Sequence, residues 1–175
     1  TLGDPNQITA TQRGGGETVV FAAAKRGKHI CLESLLGLKG VDVNKAAVNG
    51  QTPLIAASLE GHEDCVELLL GAGADFSLPD DHGETALDIA ARRQHDGCLE
   101  ALLRGGAPAS DHLLLDAVST AGRSSCVATL VSCGAKVNVT DDKHRTPLLL
   151  ACRRSDDKCV RVLLGARTKE AKESK

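Results

Sequence analysis

The chain contains no Trp, Tyr or Met and only two Phe in 175 residues. A core built without aromatics must come from Leu, Val, Ile, Ala and Cys. Such small and aliphatic side chains suit thin, closely packed layers of helices better than a thick globular centre. The same lack weighs against single-stranded nucleic acid as ligand, because that binding uses aromatic stacking platforms. Charge of one sign is also missing: the formal net charge is −2, so bulk charge selects neither nucleic acid nor membrane. No apolar run approaches the ~20 residues of a membrane span. The stretch from Thr1 to Gly16 has no apolar segment and does not read as a signal peptide. With Met absent even at position 1, the chain reads as a piece of a larger protein.

The seven Cys lack the paired spacings of a zinc site and fit reduced thiols of the cytosol or nucleus. Gly is frequent, at 18 residues, and regularly placed. Cys recurs at 31, 65, 98, 126 and 159, each followed four residues later by Leu: Leu35, Leu69, Leu102, Leu130 and Leu163. Residues four apart share a helical face, so five equivalent helices with a common buried stripe are expected. Upstream of each lies a second helix with small residues: Ala22-Ala23-Ala24, Ala56-Ala57, Ala90-Ala91, Ala117-Val118 and Ala151-Cys152. Thr52-Pro53, Thr85-Ala86 and Thr146-Pro147 place a capping hydroxyl before a first helical turn. Gly73, Gly106 and Gly134 end second helices, and Asn49-Gly50 and His82-Gly83 turn the chain.

Asn49-Gly50-Gln51-Thr52-Pro53-Leu54, Gly61-His62, Val66-Glu67-Leu68-Leu69-Leu70 and Gly73-Ala74-Asp75 together resemble one ankyrin repeat. The resemblance runs from about Glu17 to Leu164. It implies an all-α ankyrin-repeat solenoid of about five helix-turn-helix units with short finger hairpins and a concave face. The expected organisation is a flexible lead-in over 1–16, the array over 17–166, and a charged tail over 167–175 that is a frayed helix or disordered. Departures are plain. Phe21, Ile55, Asp88, Asp116 and Leu149 stand where the family has His. The interval before the fourth Cys is 28 residues instead of 33 or 34, so Ser110-Asp111-His112 is expected as a clipped finger.

No catalytic, cofactor-binding or metal-ligating set emerges. The repeated Cys read as core thiols, with Cys133 more exposed near a helix end. His62 reads as structural, His29 and His95 as solvent-facing. His82, His112 and His144 fall at or near finger tips. Gly14-Gly15-Gly16 neither follows a strand nor precedes Lys-Ser/Thr, so it is no phosphate loop.

The resemblance implies a protein-binding module without enzymatic activity, monomeric, whose partner lies along the inner helices and fingers. The residues just before each helix–helix turn are Lys25-Arg26, Leu59-Glu60, Arg92-Arg93, Thr120-Ala121 and Arg153-Arg154, six basic against one acidic. Lys143 and Arg145 add to them from the last finger, and His82 from an earlier one. A partner protein with an acidic or phosphorylated segment would suit these residues, because the arginine fork holds a carboxylate or phosphate with two hydrogen bonds. The alternative is that they are solvated cations at helix C-termini.

Other readings stay open. Leu150-Ala151-Cys152, Cys126-Val127 and Cys159-Val160-Arg161-Val162-Leu163-Leu164 look like repeats of ankyrin and SOCS-box proteins, which implies substrate recognition for a cullin ubiquitin ligase. A nucleic-acid-binding array and a structural spacer are the others. Asn44 and Asn138 resemble finger asparagines that the family's hydroxylating oxygenase accepts.

Overall fold

The computed structural model describes residues 16–47, 49–120 and 122–173. Most of the expected lead-in therefore lies outside the described residues. The described chain forms ten α-helices in five consecutive pairs: α1 Val19–Lys25, α2 His29–Leu36, α3 Pro53–Glu60, α4 Glu63–Gly71, α5 Ala86–Arg93, α6 Asp96–Arg104, α7 Asp111–Ser119, α8 Ser124–Ser132, α9 Pro147–Arg153 and α10 Asp157–Glu173. Two compact units divide the chain, one ending at Ala107 and the other beginning at Pro108. In the first, α1 packs on α3 and α3 on α5, while α2 packs on α4 and α4 on α6; each pair is also closed on itself. In the second, α7 packs on α9 and α8 on α10, again with both pairs closed.

Each first helix starts the same way. The hydroxyls of Thr18, Thr52, Thr85 and Thr146 accept the backbone N–H three residues on, at 3.1, 3.2, 3.4 and 3.2 Å. Four extended N-caps of one geometry thus begin helices whose next residues are apolar and small. The Asp88 carboxylate returns the contact, accepting the Thr85 N–H at 3.0 Å and its hydroxyl at 2.7 Å, which completes a capping box. Asp88 thus contributes a local helix-start contact where the family's His would stand.

The core follows the predicted stripe in four of five repeats. Cys65, Cys98, Cys126 and Cys159 are buried with Leu69, Leu102, Leu130 and Leu163. The first repeat departs from the expectation: Cys31 is exposed and Leu35 only half-buried. The reason is coverage, since among the described residues α2 packs only on α1 and α4, with nothing over its other side. Ile30, 69% exposed, lies on the same helix. At the opposite end Cys152 and Leu149 are exposed on α9 for the same reason. Cys152 is thus a surface thiol there, while the small residues at equivalent positions, Ser58 and Ala91, are sealed.

The turn between paired helices depends on a contact with the next repeat. Gly27 and Gly61 take left-handed φ angles of +65° and +77°. A β-carbon on Gly27 would lie 2.7 Å from His62 Nδ1, and one on Gly61 2.8 Å from His95 Nδ1. The imidazole of each following repeat therefore lies flat over a bare glycine. His95 Nε2 also donates to the Leu59 carbonyl oxygen at 3.2 Å. His95 is half-buried, which corrects the expectation that it faces solvent; His29 is exposed.

The fourth pair differs most. From the N-cap Thr to the repeated Cys runs thirteen residues in the other repeats, but from the N-cap Ser110 to Cys126 runs sixteen. Helix α7 therefore begins about one turn early. Only residues 105–110 separate α6 from α7, against 72–85 and 133–146 for the neighbouring connections. Ser110-Asp111-His112 was expected as a clipped finger. Instead Ser110 caps the helix through the Leu113 N–H at 3.3 Å, and Asp111 and His112 form its first turn. The shortening is thus part deletion and part conversion of finger to helix, and it coincides with the boundary between the two units. At the C-terminal end, α10 runs to Glu173, so backbone helix continues into the charged segment.

Replacing Gly61 with Ala should lower the urea-unfolding stability of the first unit. The left-handed angle alone costs a side chain about 1–2 kcal/mol, and the His95 ring must also shift. Gln94 takes the equivalent turn with φ +61°, so Gln94→Gly should raise the unfolding free energy by up to about 1 kcal/mol and the midpoint with it. Equal midpoints for wild type and both variants would contradict this account of the turn.

Candidate functional site

The fingers before α5 and α9 have one construction. Asp80 N–H donates to the Glu84 carbonyl at 3.0 Å, and Asp141 N–H to the Arg145 carbonyl at 3.1 Å. The Asp80 carboxylate accepts the N–H groups of His82 and Glu84 at 2.9 and 3.0 Å. The Asp141 carboxylate accepts those of Lys143 and Arg145 at 2.9 and 2.8 Å. Adjacent fingers are tied by Asn44, whose Oδ1 accepts the Asp75 N–H at 2.9 Å. This geometry sets the residue before each N-cap at a constant offset from the residue eight positions later, at the end of the first helix.

That offset decides what the candidate cations can do. Glu17 holds Lys25 at 3.1 Å, and the Lys25 ammonium also sits 5.6 Å from the Phe21 ring centroid. Glu84 takes Arg92 through two bonds, Nε to Oε1 at 3.0 Å and Nη2 to Oε2 at 2.7 Å. In the second repeat the equivalent residues are Gln51 and Leu59, and Leu59 is half-buried. In the last repeat they are Arg145 and Arg153, two cations. Arg145 is turned instead to Asp141, with Nε at 2.7 Å and Nη2 at 2.6 Å from Oδ2.

The predicted site residues therefore separate into two groups. Lys25, Arg92 and Arg145 are already held by carboxylates of their own repeat, and the Arg154 guanidinium donates to the Ser119 carbonyl. Arg26, Arg93, Lys143 and Arg153 are exposed, and no carboxylate among the described residues lies within ion-pair distance of them. Glu60 and His82 are exposed as well. Thr120 is exposed, while Ala121 lies outside the described residues. Sequence reasoning missed Arg123, which is nearly buried and pairs with Asp116 at 3.2 Å. It stands at the position of His62 and His95, a place whose register the other repeats announce.

Elsewhere the chemistry is sparse. A hollow of about 560 Å³ between α2 and α4 is lined by His29, Glu33, Asp64 and Glu67. Among the described residues no group of three or more His, Cys, Asp or Glu could hold a metal ion. No helix there is long and apolar enough to cross a membrane. Burial pushes the Cys98 thiol up to about 11, with Glu63 nearby adding to it. It pushes Cys159 up to about 12, where Asp156 adds to it. Thiols with such values carry almost no thiolate at neutral pH and are poor nucleophiles.

Short capped helix pairs, left-handed turns and fingers at constant offset define a repeat scaffold that presents side chains instead of enclosing a reaction. A family model for ankyrin repeats matches three times, over residues 3–80, 20–111 and 114–174. The chain belongs to the ankyrin-repeat family, whose repeats are non-catalytic protein–protein interaction modules. Among curated proteins it is similar to cortactin-binding protein 2 of Ornithorhynchus anatinus, 43% identical over 61 residues or 35% of this chain. The same protein of Dasypus novemcinctus is 38% identical over 66 residues, 38% of the chain. That of Echinops telfairi is 40% identical over 60 residues, 34% of the chain. The matched part is 4% of the length of each of these relatives.

Two measurements check the site chemistry. With a thiol-reactive chromogenic reagent, the native chain should react quickly at Cys31, Cys133 and Cys152, the exposed thiols. All seven Cys should react after denaturation; prompt native reaction at Cys98 or Cys159 would refute the burial argument. Asp141, held chiefly by Arg145, has its carboxyl lowered from 3.8 to about 2. A depressed folded-state value means stability that is present above pH about 4 and lost as pH falls toward 2. Carboxyl carbon NMR should show Asp141 titrating near 2, and Arg145→Gln should move that midpoint up.

Proposed function

We propose that the chain binds an acidic or phosphorylated segment of a partner protein through the basic residues at the ends of its first helices. One observation carries this reading: Arg26, Arg93 and Arg153 close three of the five first helices, exposed and without a carboxylate counterpart among the described residues. A solvated cation at a helix C-terminus gains from the macrodipole, but that gain is already supplied at α1 and α5 by the paired Lys25 and Arg92. The second cation at each of these ends has no structural contact to account for it. The planar fork of arginine suits carboxylate or phosphate, and such hydrogen bonds are roughly twice as strong as neutral ones. Lys143, on the finger before α9, adds to the same character in the second unit.

The sequence-level anchors are thereby narrowed. Arg92 must leave Glu84 before it can serve a partner, and Arg154 must leave the Ser119 carbonyl. The partner surface is assigned to Arg26 and Arg93 in the first unit and to Arg153 and Lys143 in the second. Leu59, half-buried at the equivalent place in the second repeat, offers a small apolar contact between cations.

The test compares wild type with the triple variant Arg26→Glu, Arg93→Glu and Arg153→Glu. Both are immobilised and exposed to nuclease-treated cell lysate, and retained proteins are identified by mass spectrometry. Circular dichroism should show both forms equally helical, because none of the three side chains is buried. Acidic or phosphorylated proteins should be lost from the variant, and their retention on wild type should weaken as salt rises. Retention of the same proteins by both forms would sink the reading.

A further inference from the structure

We infer that the last repeat carries a receptor for one carboxylate of a partner, built around Arg153 and left open because Arg145 replaces the glutamate that fills the same place elsewhere. The inference rests on the reading above and goes further by assigning a residue and a ligand chemistry. Repeats one and three show what belongs there. In each, a glutamate precedes the N-cap threonine, and its carboxylate bonds the cation eight residues on: Glu17 with Lys25 at 3.1 Å, Glu84 with Arg92 at 2.7 Å. The fork at Arg92 is two-pronged, Nε and Nη2 each meeting one oxygen, the arrangement a carboxylate satisfies best.

The last repeat reproduces the frame and changes one member. Thr146 caps α9 with the same extended backbone as Thr85 caps α5. Asp141 organises its finger through the bonds that Asp80 makes in the third repeat. Even the left-handed turn residue is kept, His144 at φ +55° where Gly83 has +79°. Arg153 therefore takes up the position of Arg92, with no glutamate before its N-cap. Arg145 cannot supply the anion, and Asp141 draws its guanidinium away, at 2.6 Å. The position is open as well as uncompensated: Arg153 is exposed, at the end of α9.

A partner glutamate or aspartate would thus do for Arg153 what Glu84 does for Arg92. Arg145 is already met by Asp141, so Arg153 is the cation of this pair left without a carboxylate from its own repeat. The second repeat, with Gln51 and Leu59, has neither cation nor anion there. In the first and third repeats Lys25 and Arg92 are occupied from within, so at this offset the last repeat alone among these four needs a partner's carboxylate.

The test rewrites the last repeat in the charge pattern of the third. Arg145→Glu gives it the Asp, Glu and Arg that Asp80, Glu84 and Arg92 already combine in a folded repeat, so the variant is expected to fold. Arg153→Leu places there the leucine that the second repeat has, with Arg145 kept. The probe is a fluorescein-labelled peptide with three consecutive glutamates, beside its all-glutamine counterpart and a phosphoserine version, with binding followed by anisotropy. Nitrogen-15 spectra of the arginine Nε–H groups report where the peptide sits. Wild type should prefer the glutamate peptide to the glutamine one, with the Arg153 Nε signal shifting on titration. Both variants should bind it about tenfold more weakly, the loss of one charge-assisted pair. In Arg145→Glu the Arg153 signal should already be displaced before peptide is added.

If wild type binds the glutamate peptide and Arg145→Glu binds it equally, the receptor is not at this position, while the broader reading stands on Arg26 and Arg93. If wild type prefers neither the glutamate nor the phosphoserine peptide to the glutamine one, the broader reading fails and the receptor with it. A phosphoserine peptide bound at Arg153 more than tenfold tighter than the glutamate peptide would overturn the assignment of a carboxylate.

Discussion

No helix in the first nine is long enough to hold itself together. They span seven to nine residues, and isolated helices below ~12–15 residues are marginal in water. Their stability comes from being covered by a neighbouring pair, so nearest-neighbour stacking is the constraint on which the rest depends. Where a neighbour covers both sides, as for α3, even small residues vanish from solvent: Ala57 and Ser58 are sealed. Where only one side is covered, the same sequence positions yield an exposed Cys31 and an exposed Cys152.

The need to stack explains the local chemistry at each turn. Two helices can approach the next pair closely only if the turn between them is bare, and Gly27 and Gly61 leave room for an imidazole from the following repeat. His62 and His95 then join adjacent repeats at the helix–helix turn, and the His95 bond to Leu59 ties ring to backbone. Threonine caps and finger aspartates do parallel work at the other end of each first helix, satisfying donors that would otherwise be orphaned. Each repeat is thus held at two ends by polar contacts and along its length by aliphatic packing.

A frame so constant makes small substitutions informative. The residue before the N-cap meets the residue eight later in the first and third repeats, and what stands at these two positions elsewhere follows from sequence alone. Glu17 and Glu84 cancel a cation, Gln51 and Leu59 carry no charge, and Arg145, held by Asp141, leaves Arg153 without a carboxylate at this offset. Asp141 is the local consequence, its carboxyl lowered because Arg145 turns toward it. Variation in charge is carried on the finger side of the repeat, where side chains are exposed and packing tolerates exchange.

The sequence by itself determined the family, the five helix pairs, the caps and four of the five buried Cys-Leu stripes, because these are periodic and depend on contacts within a repeat. It also pointed to the run of cations at the ends of the first helices. Three things were decided only by tertiary structure. Coverage from neighbours determined that Cys31 and Cys152 are surface thiols and that His95 is half-buried. The early start of α7 consumed the expected finger at Ser110, a choice between two local structures that a count of residues cannot make. Finally, pairing across eight residues separated the engaged Lys25 and Arg92 from the open Arg153, because that contact exists only once finger and helix end are brought side by side.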